Sequence, residues 1–258
     1  MLKKLYDKSK LWFAIAWIAA YCILMSAGDA LSSVVGIGKS ITCIVGVLLS
    51  GILFLFLKTG GLCENYGLRR SAAPARSMLY YLPVVLMLSA NLWNGVTVNY
   101  GILETVLYIL SMFCVGFLEE MIFRGFLFNA MRKDSLRAAV VVSSITFGIG
   151  HIINLFNGSG AELLPNLLQV IYAAAAGFMF VMIYLKTDSL IVCIISHGLF
   201  NAFSVFANEA AMTQDMQVRD CVLLTAVTGA YAVYLAWTMK KPKNKKSGNS
   251  GEKPNEPV

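Results

Sequence analysis

Apolar residues in this chain fall in long blocks, with the polar residues gathered between them. The first block runs from Leu11 to about Ala27, and seven more can be drawn at about 40–57, 78–94, 102–124, 138–156, 164–185, 189–206 and 221–239. Each is close to the ~20 residues that a helix needs to cross hydrocarbon at ~1.5 Å per residue. The pattern predicts an all-α integral membrane protein, a bundle of about eight transmembrane helices. Residues 1–239 read as one polytopic membrane domain, with no internal repeat. The first block follows Lys3, Lys4, Lys8 and Lys10 as a signal peptide would. It is long for one, and more spans follow, so it reads as the first helix.

Charge sharpens this picture. Of 258 residues, 58% are hydrophobic and 14% charged, against roughly 25% charged in soluble domains. The 21 Lys and Arg outnumber the 14 Asp and Glu. Such an excess can signal nucleic acid, but here the cations cluster between spans and at both ends, as topology signals and anionic-lipid contacts do. No nucleic-acid partner is expected. With the N-terminus inside, one set of loops holds Lys58, Arg69, Arg70, Arg76, Arg132, Lys133, Arg137 and Lys186, while the other holds only Lys39 and Arg219. The positive-inside rule then places both termini in the cytoplasm. Residues 240–258, rich in Lys, Gly, Ser, Asn and Pro, are expected to form a disordered basic cytoplasmic tail. Six cysteines without a close pair imply neither a disulfide framework nor a thiolate metal site.

Candidate chemistry lies where polar residues interrupt the blocks. Glu119, Glu120 and Arg124 sit in the fourth span, where a charge is costly unless it is paired or hydrated. Residues four apart share a helix face, so Glu120 can pair with Arg124, whereas Glu119 is rotated by ~100° and is left free. The chain's two histidines both fall inside spans, His151 closing Phe147-x-x-x-His151 and His197 opening His197-x-x-x-Asn201. Counted from Arg132, Arg137 and Lys186, the depths of Glu119, His151 and His197 are ~20, ~20 and ~16 Å. The three polar groups are therefore expected to meet in one hydrated cavity, reached from the cytoplasmic half. Gly116, Gly125, Gly148, Gly150 and Gly198 flank them and would permit close helix approach.

These three motifs, Glu119-Glu120-x-x-x-Arg124, Phe147-x-x-x-His151 and His197-x-x-x-Asn201, resemble those of the CAAX-protease and bacteriocin-processing (CPBP, or Abi) family of intramembrane proteases. The resemblance covers residues 119–201, with a motif core at 102–206. It implies a catalytic set of Glu119, His151, His197 and Asn201, supported by Glu120, Arg124 and Phe147. The expected partner is a peptide or protein substrate at the membrane, prenylated or carrying a leader, in addition to anionic lipids.

Peptide hydrolysis needs an activated water and a stabilised oxyanion. Glu119 suits the role of base, His151 can orient the water, and His197 with Asn201 can face the oxyanion. Zinc is a live cofactor, since Glu119, His151 and His197 together form a known type of ligand set. A His-Glu-x-x-His helix is absent. Two non-proteolytic readings stand beside this one. The first is a membrane immunity or scaffold protein, as in bacteriocin self-immunity. The second is a transporter, against which no matched pair of Gly/Pro-interrupted spans is found.

Overall fold

The computed structural model describes residues 2–157 and 162–239 of the chain. The tail expected at 240–258 lies outside the described residues. All eight apolar blocks are helical, and no strand occurs among the described residues beyond an isolated bridge between Val96 and Ala207. A short helix, α1 (Leu2–Lys8), leads into α2 (Lys10–Val35) and α3 (Ser40–Thr59). A short α4 (Leu82–Ser89) follows, then α5 (Ile102–Glu119), which continues without a break through a π-helical stretch (Glu120–Phe128) into the turn α6 (Asn129–Met131). The chain completes the bundle with α7 (Leu136–Gly150), α8 (Leu163–Thr187), α9 (Ile191–Phe203) and α10 (Gln214–Thr238).

Hydroxyl side chains set three of the helix starts. Ser9, Ser135 and Thr213 each accept a hydrogen bond from the backbone three residues on, at Trp12, Ala138 and Met216. Such caps satisfy backbone N–H groups that otherwise lack partners. The outer faces stay apolar: Trp12, Ile23, Leu48, Leu55, Val233 and Trp237 are all exposed. In water these would form large sticky patches, whereas against lipid chains they are solvated.

Six of the helices are long and apolar enough to cross a membrane, counting α5 to α6 as one helix from Ile102 to Met131. The blocks at 78–94 and 189–206 are shorter, as α4 with a following 3₁₀ turn (Ala90–Leu92) and as Ile191–Phe206. Their shortness has a local cause in the first case. Leu79, Tyr80 and Tyr81 take left-handed conformations (φ 49°, 50° and 58°), so a regular helix begins only at Leu82, ahead of Pro83. The eight segments nevertheless alternate in direction. At one end Lys186 donates to the Ser77 carbonyl and to Thr238 Oγ1, Arg69 pairs with Asp188, and Tyr6 meets Tyr66. At the other end Gly38 N–H donates to Glu104, Asn94 to Asp220, and Asn99 to the carbonyls of Val205 and Ala207. The arginine- and lysine-rich loops share the first end. Lys39 and Arg219 lie at the second, each beside a carboxylate, Asp29 and Asp220.

At the centre stands the π stretch. Every residue from Leu118 to Phe128 is buried, with α2, α7 and α8 packed around it. A π segment inside an α-helix is uncommon and gathers at functional sites. Here Asn129 Nδ2 donates to the carbonyls of Arg124 and Gly125 at 3.2 and 2.6 Å and to Tyr184 Oη at 3.0 Å, closing the far end of the stretch. Above it α5 and α9 touch backbone to backbone. A methyl group added at Gly116 would lie 2.6 Å from Gly198 N, and one at Gly148 would lie 2.7 Å from Ala174 Cβ. Gly125 and Gly150 do not play this part: the first meets only side chains, the second open space.

Candidate active site

The π stretch carries the most buried charges of the molecule. Arg124 Nη1 donates to Glu120 Oε1 at 2.9 Å, and both side chains are fully buried. This is the i,i+4 pair that the spacing predicts. The guanidinium also lies 4.0 Å from the ring centre of Phe147 and 5.5 Å from that of Phe180, so aromatic faces take the place of water around it. Phe147 is the common neighbour of the site. Its ring meets those of Phe123 at 5.5 Å, His151 at 5.6 Å and His197 at 5.5 Å, each edge to face.

His197 joins the two carboxylates. Its Nδ1 lies 2.9 Å from Glu120 Oε1, and its Nε2 lies 3.5 Å from Glu119 Oε2. A carboxylate only accepts, so Nδ1 donates to Glu120 and the ring turns its Nε2 towards Glu119. Phe180 stacks on the imidazole at 5.8 Å and 24°, fixing its plane. Glu119 is the more open of the two glutamates, its side chain 12% exposed against 0% for Glu120. Its second oxygen accepts a 2.6 Å hydrogen bond from the Tyr21 hydroxyl on α2.

Glu119 and Tyr21 line a cavity of about 270 Å³ together with Phe147, His151, Gln169 and Asn201. A second, smaller chamber of about 40 Å³ is bounded by His151, His197, Asn201, Phe147 and Phe180. His151 and Asn201 thus belong to both chambers, while Glu119 lines the larger and His197 the smaller. The backbone of His151 is tied to α8, its carbonyl accepting from Asn166 Nδ2 at 2.8 Å.

The larger cavity extends to Asp29, Lys39, Tyr108, Asn154 and Ser204, at the end away from the basic loops. Access from the basic-loop half, expected from depth alone, is not what the structure contains. In that direction the space is filled by Phe13, Tyr66 and Phe126, with ring centres 5.0 Å apart in successive pairs, and by Phe128 against Tyr184. Distance along a helix reports how deep a group lies, not which way the opening faces.

Among the described residues, no group of three or more His, Cys, Asp or Glu side chains is placed to hold a metal ion. Glu119 and His197 supply two donors; His151 does not complete a set with them.

Residues 101–203 match the family described as type II CAAX prenyl endopeptidase, Rce1-like. The motif-bearing core is Rce1-like. The match bears out the resemblance to the CAAX-protease and bacteriocin-processing family, and at family level it points to a CAAX-type intramembrane endopeptidase, a hydrolase acting on a peptide or protein at the membrane. With six long apolar helices among the described residues, the chain is a multi-pass membrane protein. No curated protein and no solved structure matches the chain. The Rce1-like segment holds every site residue expected from the motifs. Two residues that the motifs do not signal are Phe180, which lies inside the segment, and Tyr21, which lies 80 positions before it.

Proposed function

We propose that this protein is an intramembrane endopeptidase in which Glu119 activates the hydrolytic water. The observation that carries the reading is the position of Glu119: a carboxylate on a cavity wall, facing the Nε2 of His197 at 3.5 Å. Water in the larger chamber gives up a proton to Glu119 as it attacks the scissile carbonyl. The proton then passes to the leaving amine, with His197 Nε2 beside Glu119 to share it. Glu120 accepts from Nδ1 and keeps the ring in the tautomer this requires, as a carboxylate orients the imidazole in a catalytic triad. The Asn201 amide and the His151 ring border both chambers and face the carbonyl oxygen as its charge develops. Arg124 donates to Glu120 and holds its carboxylate in place.

A zinc-bound water is the rival chemistry. Its ligands would be Glu119, His151 and His197, of which Glu119 and His197 stand together at 3.5 Å. The immunity or scaffold reading gives no reason for two carboxylates and an imidazole to converge on a cavity wall, and a transporter would need a path to both ends of the bundle.

The substrate is a membrane-attached peptide, prenylated near its C-terminus or bearing a leader. The basic end of the bundle is cytoplasmic, with both termini on that side. A groove there, lined by Lys10, Arg69, Arg132 and Lys133, suits anionic lipid headgroups.

The deciding experiment uses purified Glu119→Gln on a quenched-fluorescent farnesylated peptide ending in Cys-a-a-X. Turnover is expected to fall at least ~100-fold while the melting temperature holds. A Glu119→Gln protein that cleaves as well as wild type overturns the reading.

A further inference from the structure

The matched segment does not hold everything that touches Glu119. We infer that Tyr21, on α2, is a positioning residue for Glu119 and that α2 is therefore part of the active site. The inference rests on the peptidase reading above.

Glu119 has two oxygens in different surroundings. Oε1 accepts from the Tyr21 hydroxyl at 2.6 Å, the short distance of a charge-assisted O–H···O bond. Oε2 faces His197 Nε2 at 3.5 Å, beyond good hydrogen-bond geometry, and has no hydrogen-bond partner among the described residues. A carboxylate is planar and turns about its last carbon–carbon bond. Holding one oxygen fixes the plane and so sets where the other points. Tyr21 thereby aims Oε2 at the place where His197 and the water meet. Without it, the carboxylate is free to rotate within the chamber, and misplacement of ~1 Å can cost ~100-fold in rate.

Two features separate this role from a tyrosine that merely satisfies its own hydroxyl. Tyr21 lines the same 270 Å³ cavity as Glu119, so the bond is made at the wall of the reaction space. Its helix also continues along the cavity, with Met25 and Asp29 on the same wall. Residue 21 therefore couples the position of the wall to the orientation of the base.

The first test is Tyr21→Phe, which keeps the ring and removes the donor. On the farnesylated peptide, kcat is expected to fall about 10- to 100-fold with KM changed less than about threefold. An unchanged kcat overturns the inference. Tyr21→Ala is the second variant, since it leaves a hole open to the cavity. Added phenol should restore turnover, whereas added benzene should not. Equal rescue by both would show a packing role and overturn the inference. Glu119→Gln separates the two layers. If it is inert while Tyr21→Phe is normal, the peptidase reading stands and this inference alone falls. The bond can also be read without substrate, from the melting temperatures of Tyr21→Phe, Glu119→Gln and the double variant. Non-additive shifts are expected, and additive ones would sink the inference even if the peptide proves not to be a substrate.

Discussion

Nδ1 of His197 and Oε1 of Glu120 lie 2.9 Å apart, and that same oxygen accepts Arg124 at 2.9 Å. One buried atom therefore joins the imidazole on α9 to the ion pair of the helix that carries Glu119. Glu120→Gln keeps the shape but not the charge. Its turnover should fall by one to three orders of magnitude, as expected for loss of a tautomer-fixing carboxylate. A Glu120→Gln enzyme with normal kcat and a normal melting curve would mean that the imidazole needs no such partner.

Arg124→Ala leaves Glu120 as an uncompensated buried charge. Breaking such a pair typically costs ~3–5 kcal/mol, so the variant should unfold at clearly lower temperature in detergent and lose activity with it. Arg124→Lys should rescue only partly, because a lysine gives up the flat contact with Phe147. Thermal unfolding of the two purified proteins checks both statements.

Gly116→Ala forces α5 away from α9, since its methyl would lie 2.6 Å from Gly198 N and 3.0 Å from the Ile194 carbonyl. Overpacking of this kind costs ~1–3 kcal/mol. Gly150→Ala, which meets open space, is the matched control and should leave stability within ~0.5 kcal/mol. Comparable melting temperatures for the two would contradict the packing described.

Chelation distinguishes the two chemistries. If Glu119 acts on free water, treatment with 1,10-phenanthroline should leave peptide cleavage unchanged, and purified protein should hold zinc well below one equivalent. Inhibition reversed by added zinc would favour a metal-bound water instead.

Topology offers a further check. Single cysteines introduced as Ser71→Cys and Lys133→Cys should label from the cytoplasm, and Glu209→Cys from the opposite side. Labelling of Ser71→Cys and Glu209→Cys from one side would break the alternation of the eight segments.

Much of this arrangement is legible in the sequence because polar residues in an apolar run have few places to hide. The Glu120–Arg124 pair follows from a four-residue spacing, and the eight helical blocks follow from length. Tyr21 is different, since a tyrosine in an apolar span looks the same whether its hydroxyl finds a carboxylate or not. The π stretch is equally silent, because its i→i+5 bonding depends on neighbours packed on every side. The left-handed run Leu79–Tyr81 carries none of the Gly or Asn that usually announces one. Nor could the direction of the cavity be read, because the aromatic plug of Phe13, Tyr66 and Phe126 is drawn from three distant segments.

The fully buried π stretch has a consequence for how the protein is made. Synthesis runs from the N-terminus, so the helix bearing Glu119, Glu120 and Arg124 enters the bilayer before Phe147, Phe180 and His197 exist. At that moment the only partners available to its charges are one another and groups already inserted, such as Tyr21. The four-residue spacing of Glu120 and Arg124 lets the helix carry its own counter-ion through that interval, until α7, α8 and α9 arrive to enclose it.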